Sequence, residues 1–365
     1  MTCPACHSDT APGARFCEAC GHEVNPGMPA APVPEAADTA SPLDSVRVVP
    51  PAAPCAACGG VVAEDGYCQT CGMPAVKPRD HFQEQPAPWV AGVCDRGIRH
   101  PRNEDAMALA ADAAPASRAL LVVCDGVSSS TDSDRASLAA ARATREVLAG
   151  SRPRGAGTVA ARVAATAGLL ESAVAAANAA VVETTTATRG DNPAACTWVA
   201  AVLDAELLVV GWVGDSRAYW LPDAGAATAL TVDDSWAAEQ IAQGMPRREA
   251  EEGTHAHAIT RWLGVDAPDP APRHVSRELD GPGWVLVCSD GLWNYCSEAE
   301  DLAALVRRCA AVGSPSLAPV GTGGTAPEPD PGADPLALAE ELVAWANAQG
   351  GHDNITVALA RVGSP

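Results

Sequence analysis

Apolar residues recur along the chain in two rhythms. Short apolar runs predict strands at 89–95, 105–110, 118–124, 197–203, 207–213, 217–221, 273–279, 284–289 and 354–361. Longer alanine-rich amphipathic stretches predict helices at 134–149, 157–187, 235–243, 298–311 and 334–348. The longest of these carries Val163, Leu169, Leu170, Val174 and Val181, a pattern that reads as core packing. The strands at 197–203, 207–213 and 217–221 are joined by short connections and must pair antiparallel. That argues against a doubly wound parallel sheet and for antiparallel sheets sandwiched between helices.

Neither rhythm is present before residue 89, and composition changes there too. All nine tryptophans follow that point, whereas eight of the fourteen cysteines precede it. Residues 23–54 are rich in alanine and proline and bury too little apolar surface to offset their ordering entropy, so they read as a disordered linker. Residues 73–88 read as a second, shorter linker, and 312–333, dense in Gly and Pro, as a flexible insertion in a domain spanning 89–365. The 45 acidic against 24 basic residues give a net charge of −21, which works against nucleic acid or an anionic membrane as partner. Met1-Thr2-Cys3-Pro4 opens no signal peptide, and no run of about 18 apolar residues is free of charge. The expected compartment is a reducing cytoplasm, where patterned cysteines bind metal more often than they pair.

Cys3-Pro-Ala-Cys6 is followed by Cys17-Glu-Ala-Cys20, and Cys55-Ala-Ala-Cys58 by Cys68-Gln-Thr-Cys71. Each pair is a tight turn aiming two thiolates at one point, and two turns complete a tetrahedral zinc site. The expectation is two structural zinc ions, one within 1–22 and one within 55–72, each supplying most of the folding energy of a small ribbon. A redox reading of the C-x2-C pairs needs a βαβ setting that the pattern lacks. The two segments resemble the double zinc ribbons attached to many signalling proteins, which implies a protein partner for them.

In the larger domain, short acidic motifs stand at strand ends: Asn103-Glu104-Asp105, Asp125-Gly126, Gly214-Asp215-Ser216-Arg217, Ser289-Asp290-Gly291 and Asp353-Asn354. A carboxylate at the end of a buried strand is costly unless it is paired or metal-bound. Too few basic residues lie near these motifs to neutralise them all. All-oxygen carboxylate ligands favour magnesium or manganese over zinc. Singly, each motif has a plain alternative, as a turn, a loop or a strand cap.

Their order, within D-R-G-I-R-H-P-R-N-E-D-A (95–106), V-V-C-D-G-V (122–127), G-W-V-G-D-S-R-A-Y (211–219), L-T-V-D-D-S (230–235), I-T-R-W-L-G (259–264), C-S-D-G-L-W (288–293) and G-G-H-D-N-I-T-V (350–357), resembles the metal-dependent Ser/Thr protein phosphatases of the type 2C family. The likeness covers about residues 89–362. It implies an α+β fold, a four-layer sandwich of two antiparallel sheets flanked by helices. The activity it implies is hydrolysis of phosphoserine and phosphothreonine on proteins by a water bridging two Mn2+ or Mg2+ ions. By that resemblance Asp125 bridges both ions, the Gly126 carbonyl adds a ligand, and Asp290 and Asp353 complete one ion. Glu104 and Asp105 hold the other ion or its waters, and Asp215 with Asp290 marks a third, weaker site. Implied partners are phosphorylated proteins and a Ser/Thr kinase of the same system.

The sequence departs from that family at four places. His100 stands where an arginine usually grips the substrate phosphate, which leaves Arg99, His100 and Arg102 as phosphate-binding candidates. Val127 follows Asp125-Gly126, Cys196 precedes Thr197 where glycine is commoner, and Asp234 replaces a frequent histidine. No metal carboxylate is lost. Residues 236–258, including His255 and His257, fall where bacterial members carry a mobile flap. The alternative reading is a catalytically silent phosphatase-like scaffold.

Overall fold

The computed structural model describes residues 2, 54–55, 58–63, 66–73, 75–152, 157–186, 192–251, 253, 255, 258–311 and 333–363. Cys3, Cys6, Cys17 and Cys20, almost all of the 23–54 linker, His257 and residues 312–332 lie outside them. The chain divides into two units, Met1–Ala75 and Val76–Pro365.

In the first unit, the two C-x2-C-Gly turns are built alike. Gly59 N donates to Cys55 O at 2.7 Å and Gly72 N to Cys68 O at 2.9 Å. Both glycines are left-handed, at φ 72° and 73°, where a Cβ would be strained.

The second unit runs β1 (His81–Ala87), β2 (Val90–Asp95), β3 (Ala106–Ala111), β4 (Arg118–Cys124), α1 (Ser133–Gly150), α2 (Val159–Thr186), β5 (Ala195–Cys196), β6 (Trp198–Asp204), β7 (Leu207–Val213), β8 (Arg217–Pro222), β9 (Thr228–Ala229), α3 (Trp236–Ala242), α4 (Arg247–Glu251), β10 (Leu263–Gly264), β11 (Arg273–Glu278), β12 (Gly283–Cys288), α5 (Asp290–Trp293), α6 (Ala299–Ala311), α7 (Pro335–Gln349) and β13 (Ile355–Val362). One sheet has the order β1-β2-β13-β12-β8-β9, a second β11-β7-β6-β4-β3, and β10 pairs with β5. Every pairing is antiparallel.

The central strands are apolar on both faces because both faces are covered. Along β4, Leu121 and Val123 face the inter-sheet core with Val210, Trp220, Val285 and Ala358. Their neighbours Leu120, Val122 and Cys124 turn outward onto Ala140 of α1 and Leu170 and Val174 of α2. In β12, Val285 and Val287 point inward, while Trp284, Leu286 and Cys288 meet Leu302 and Leu342 of α6 and α7. The outcome is four layers, helix–sheet–sheet–helix.

Among the described residues α2 alone is long and apolar enough to cross a membrane. Its Leu170, Ala173, Val174, Ala177 and Val181 are buried against the outer face of the β4 sheet.

The reading of 73–88 as linker needs correction, because β1 lies within it and the second unit begins at Val76 rather than Trp89. β1 sits on a sheet edge with most of its side chains exposed or half-buried, so it has no apolar alternation to detect. Its register shifts between Glu84 and Ala87, around Pro86, as proline requires in a strand. β5, β9 and β10, each two residues long, are too short to carry a periodic signal.

Candidate active site

The acidic motifs meet where strands of both sheets end. Asp125 and Gly126 follow β4, Asp105 precedes β3, Asp215 lies in the β7–β8 turn, Asp290 opens α5 after β12, and Asp353 precedes β13. The last approach is set by α7: Asp334 caps its start, with Pro335 next, and Gly350 and Gly351, both at positive φ, turn the chain toward Asp353.

Close backbone approach holds the cluster together. A Cβ on Gly97 would collide with the Asp353 carbonyl, one on Gly291 with the Asn354 carbonyl, and one on Gly126 would lie 2.7 Å from the Glu104 carbonyl. Asn354 is the central fastener. Its Oδ1 accepts from Glu104 N at 2.7 Å, and its Nδ2 donates to Arg96 O at 2.7 Å and Arg102 O at 3.0 Å. Asp125 and Thr197 are joined twice, through Asp125 N to Thr197 Oγ1 at 3.0 Å and Thr197 N to Asp125 O at 2.7 Å.

The aspartates are arranged against their own charge. Burial, then Asp105, Asp290, Asp353 and Asp215, push the Asp125 carboxyl well above its usual range. Burial and Asp290 do the same to Asp215. Asp105 is fully buried and raised to about 7, chiefly by burial, although Ser289 Oγ and Thr356 Oγ1 each donate to its Oδ2 at 2.6 Å. Its Oδ1 is buried with no hydrogen-bond partner. Asp290 Oδ2 accepts from Asn294 Nδ2 at 3.0 Å.

Glu104 is different. Arg102 donates to its Oε1 through Nε at 2.8 Å and Nη2 at 2.6 Å, and Ser133 Oγ donates to the same oxygen. Burial raises its pKa, but Ser133 and Arg102 outweigh that and hold the carboxyl below its ordinary value. Of the phosphate-binding candidates, Arg102 is therefore already engaged, and Arg99 is exposed. His100 stands between two site carboxylates, with Nδ1 3.5 Å from Glu104 Oε2 and Nε2 3.3 Å from Asp353 Oδ1.

A cleft of about 830 Å³ leads away from Asp290 and Asp353. It runs between the α3–α4 segment, through Ala238, Ile241 and Arg247, and a floor that includes Arg217 and Trp293. The Arg217 guanidinium lies 3.6 Å over the Trp293 ring and pairs with Asp233 at 2.6 Å. Glu251 of α4 ties this segment down, accepting from Ser297 Oγ at 2.9 Å and Arg247 Nη1 at 2.8 Å. His255 is exposed and packs edge-on against Trp236. Asp234 is buried, pairs with Arg261 at 3.3 Å and Arg273 at 3.1 Å, and accepts from Gly214 N at 3.1 Å.

The family profile of protein phosphatase 2C matches residues 98–318. The chain belongs to the protein phosphatase 2C family. It is accordingly a protein-serine/threonine phosphatase, and its sandwich is the fold of that family. Solved structures agree: the Mycobacterium tuberculosis serine/threonine phosphatase PstP/Ppp is 25% identical with a TM-score of 0.55, over 75% of this chain and 97% of its own. The catalytic domain of PstP, solved with two manganese ions, is 26% identical with a TM-score of 0.52, over 75% and 98%. Stp1 from Staphylococcus aureus, 19% identical over 75% and 95%, shares the fold with a TM-score of 0.57. No curated protein sequence matches the chain.

A double zinc ribbon profile matches residues 3–73 of this phosphatase. Cys55, Cys58, Cys68 and Cys71 converge there, each offering a sulfur within 4.8 Å of the others. The backbone N–H groups of Cys71 and Thr70 pull the Cys68 thiol down to about 6, whereas at Cys58 the Gly60 N–H is outweighed by the neighbouring thiols of Cys71 and Cys68, which push the thiol up to about 12.

Three contributors to the site carried no signal in the sequence: Arg79, which donates to Asn103 O and Asp105 O, Ser133 and the Glu251 tie. Arg79 is a lone arginine in a polar, proline-containing stretch. Ser133 is the first residue of a helix and looks like ordinary helix-start chemistry.

Proposed function

We propose that this phosphatase removes phosphate from phosphoserine and phosphothreonine on proteins with two divalent cations, Mn2+ or Mg2+, held by its aspartates. The observation that carries the reading is the Asp105–Asp125–Asp215 group: buried or half-buried, repelling one another, and without an arginine or lysine ion pair among the described residues. An unpartnered buried oxygen on Asp105 and an all-oxygen donor set fit a hard dication. Asp125, the Gly126 carbonyl, Asp290 and Asp353 would hold the ions, with Asp105 and Glu104 beside them and Asp215 and Asp290 at a third, weaker position.

Bound there, the cations would lower the pKa of a water and offset charge on the attacked phosphoryl oxygens. The chain's own residues do the remaining work. The glycine contacts and Asn354 fix the carboxylates relative to one another, so little reorganisation accompanies the reaction. His100, standing between Glu104 and Asp353, is placed to donate to a phosphate oxygen. The cleft toward Trp293 gives a protein substrate room to lie beside the reacting group. The second cysteine quartet, and by its matching pattern the first, would each hold a structural zinc ion. The ribbons would then bring the enzyme to a protein partner, such as a Ser/Thr kinase of the same system.

Hydrolysis of a phosphothreonine peptide by the chelator-stripped chain, with and without added Mn2+ or Mg2+, tests the reading. Activity should require the cation, and D125A or D290A should abolish it. Turnover that survives both substitutions sinks the mechanism, while Mn2+ binding without turnover favours the silent scaffold.

A further inference from the structure

Arg79 lies between the second cysteine quartet and β1, outside every motif. It is half-buried, and its guanidinium reaches the acidic Asn103–Glu104–Asp105 loop from beneath. Nε donates to Asn103 O at 3.0 Å, and Nη2 donates to Asp105 O at 2.9 Å, to Asp134 O at 2.7 Å and to Ser137 Oγ at 3.2 Å. The loop answers in kind, with Asn103 Nδ2 donating to Arg79 O at 2.9 Å. The remaining carbonyl, Glu104 O, accepts from Ser137 Oγ. The turn carrying Arg79 is itself fixed by Lys77 N to Asp80 Oδ2 at 2.9 Å and Arg96 N to Asp80 O at 2.7 Å.

Several carbonyl dipoles converge here directly behind a group of mutually repelling carboxylates. A planar guanidinium can address them together, because its donors form a rigid fork. An ammonium is a point charge and fixes no such geometry. Without the fork, the carbonyls of Asn103 and Asp105 lose these partners, and the loop keeps, among the described residues, only the Ser133 and Ser137 bonds, both to Glu104, as its ties to α1.

We propose that Arg79 is the positioning residue of the metal loop: it holds the Asn103–Asp105 backbone in the geometry that lets Glu104 and Asp105 serve the cations, without touching substrate or ion itself. This rests on the metal-dependent reading given above. Groups that orient metal ligands typically contribute about 10–100-fold in metal affinity.

The test is Mn2+ binding to the full chelator-stripped chain, followed by isothermal titration calorimetry, so that it does not depend on turnover. R79A is expected to weaken Mn2+ binding by about tenfold or more, and R79K to recover only part of that loss. R118A is the control. Arg118 is another buried arginine, donating to Leu148 O and Ser151 O at 2.8 Å each. Its loss should lower the melting temperature while leaving Mn2+ affinity within about twofold, because it pins the far end of β4 instead of an acidic loop. If R79A does not fold, R79K decides, with an expected weakening of at least about threefold. Mn2+ affinity unchanged in R79A or, failing that, in R79K overturns this inference alone, as does an equal weakening in R118A. A wild-type chain that binds no Mn2+ overturns the metal reading and this inference with it.

Discussion

Glu104 and Asp125 are both acidic residues of one cleft, yet they settle their charge in opposite ways. Glu104 has its own cation: Arg102 and Ser133 hold its carboxyl ionised and below the ordinary pKa. Asp125, with Asp105 and Asp215, is driven upward by burial first and then by neighbouring carboxylates. One half of the site is therefore neutralised by the chain's own arginine, and the other half, on the proposed reading, takes its neutralising charge from bound cations. A like-charged cluster of this kind costs stability in the apo protein and repays it when a dication binds.

The contrast is broken most severely by removing the central carboxylate. D125N should lower turnover by about 10³-fold or more, since cation placement contributes several kcal/mol to the transition state. The same change should raise the melting temperature of the chelated protein by about 2–4 °C, as each kcal/mol of relieved repulsion does in a domain of this size. A chelated D125N that melts no higher than wild type would mean that the aspartates are not strained without metal.

His100 sharpens the comparison from the side of Glu104. H100A should raise KM for a phosphopeptide by about tenfold with a smaller change in kcat, the worth of one hydrogen bond to a charged oxygen. H100R should restore KM, having a guanidinium to offer the same oxygen. If KM holds and Mn2+ affinity falls instead, His100 serves Glu104 and Asp353 and not the phosphate.

The mildest effect is that of pH. Asp105 is raised from 3.8 to about 7, so its protonated form is the one that favours folding. That contribution is whole below about 3.8 and is lost as pH rises through about 7. In chelator the melting temperature should thus fall across this window relative to the Mn2+-saturated protein, and the gap between the two should widen by a few degrees. A gap that stays constant, or narrows, from pH 5 to pH 7.5 contradicts the assignment.

Much of this was legible in the sequence because strand and chemistry are adjacent there. Leu120 to Cys124 ends in Asp125, and Trp284 to Cys288 ends in Ser289-Asp290, so recognising the strand located the carboxylate. Antiparallel sheets between helices followed from the short connections among 197–203, 207–213 and 217–221, and the four layers from the family resemblance. What stayed hidden depends on partners distant in sequence. β1 is a strand because β2 pairs with it, its own residues being largely polar. Arg102, one of three phosphate-binding candidates in the sequence, pairs with Glu104, a contact that its motif does not announce. Arg79 became visible only once three backbone carbonyls, which carry no sequence identity, were placed around it.

β13 lies between β2 and β12, and the bond from Glu104 N to Asn354 Oδ1 joins residues 250 positions apart. At about 5–20 residues per second of synthesis, roughly 10–50 s separate the appearance of these two partners. Until then Glu104 N lacks its Asn354 partner, and β2 and β12 lack the strand that lies between them. The Asn354 fastener of the acidic cluster is thus among the last parts of the domain to be made.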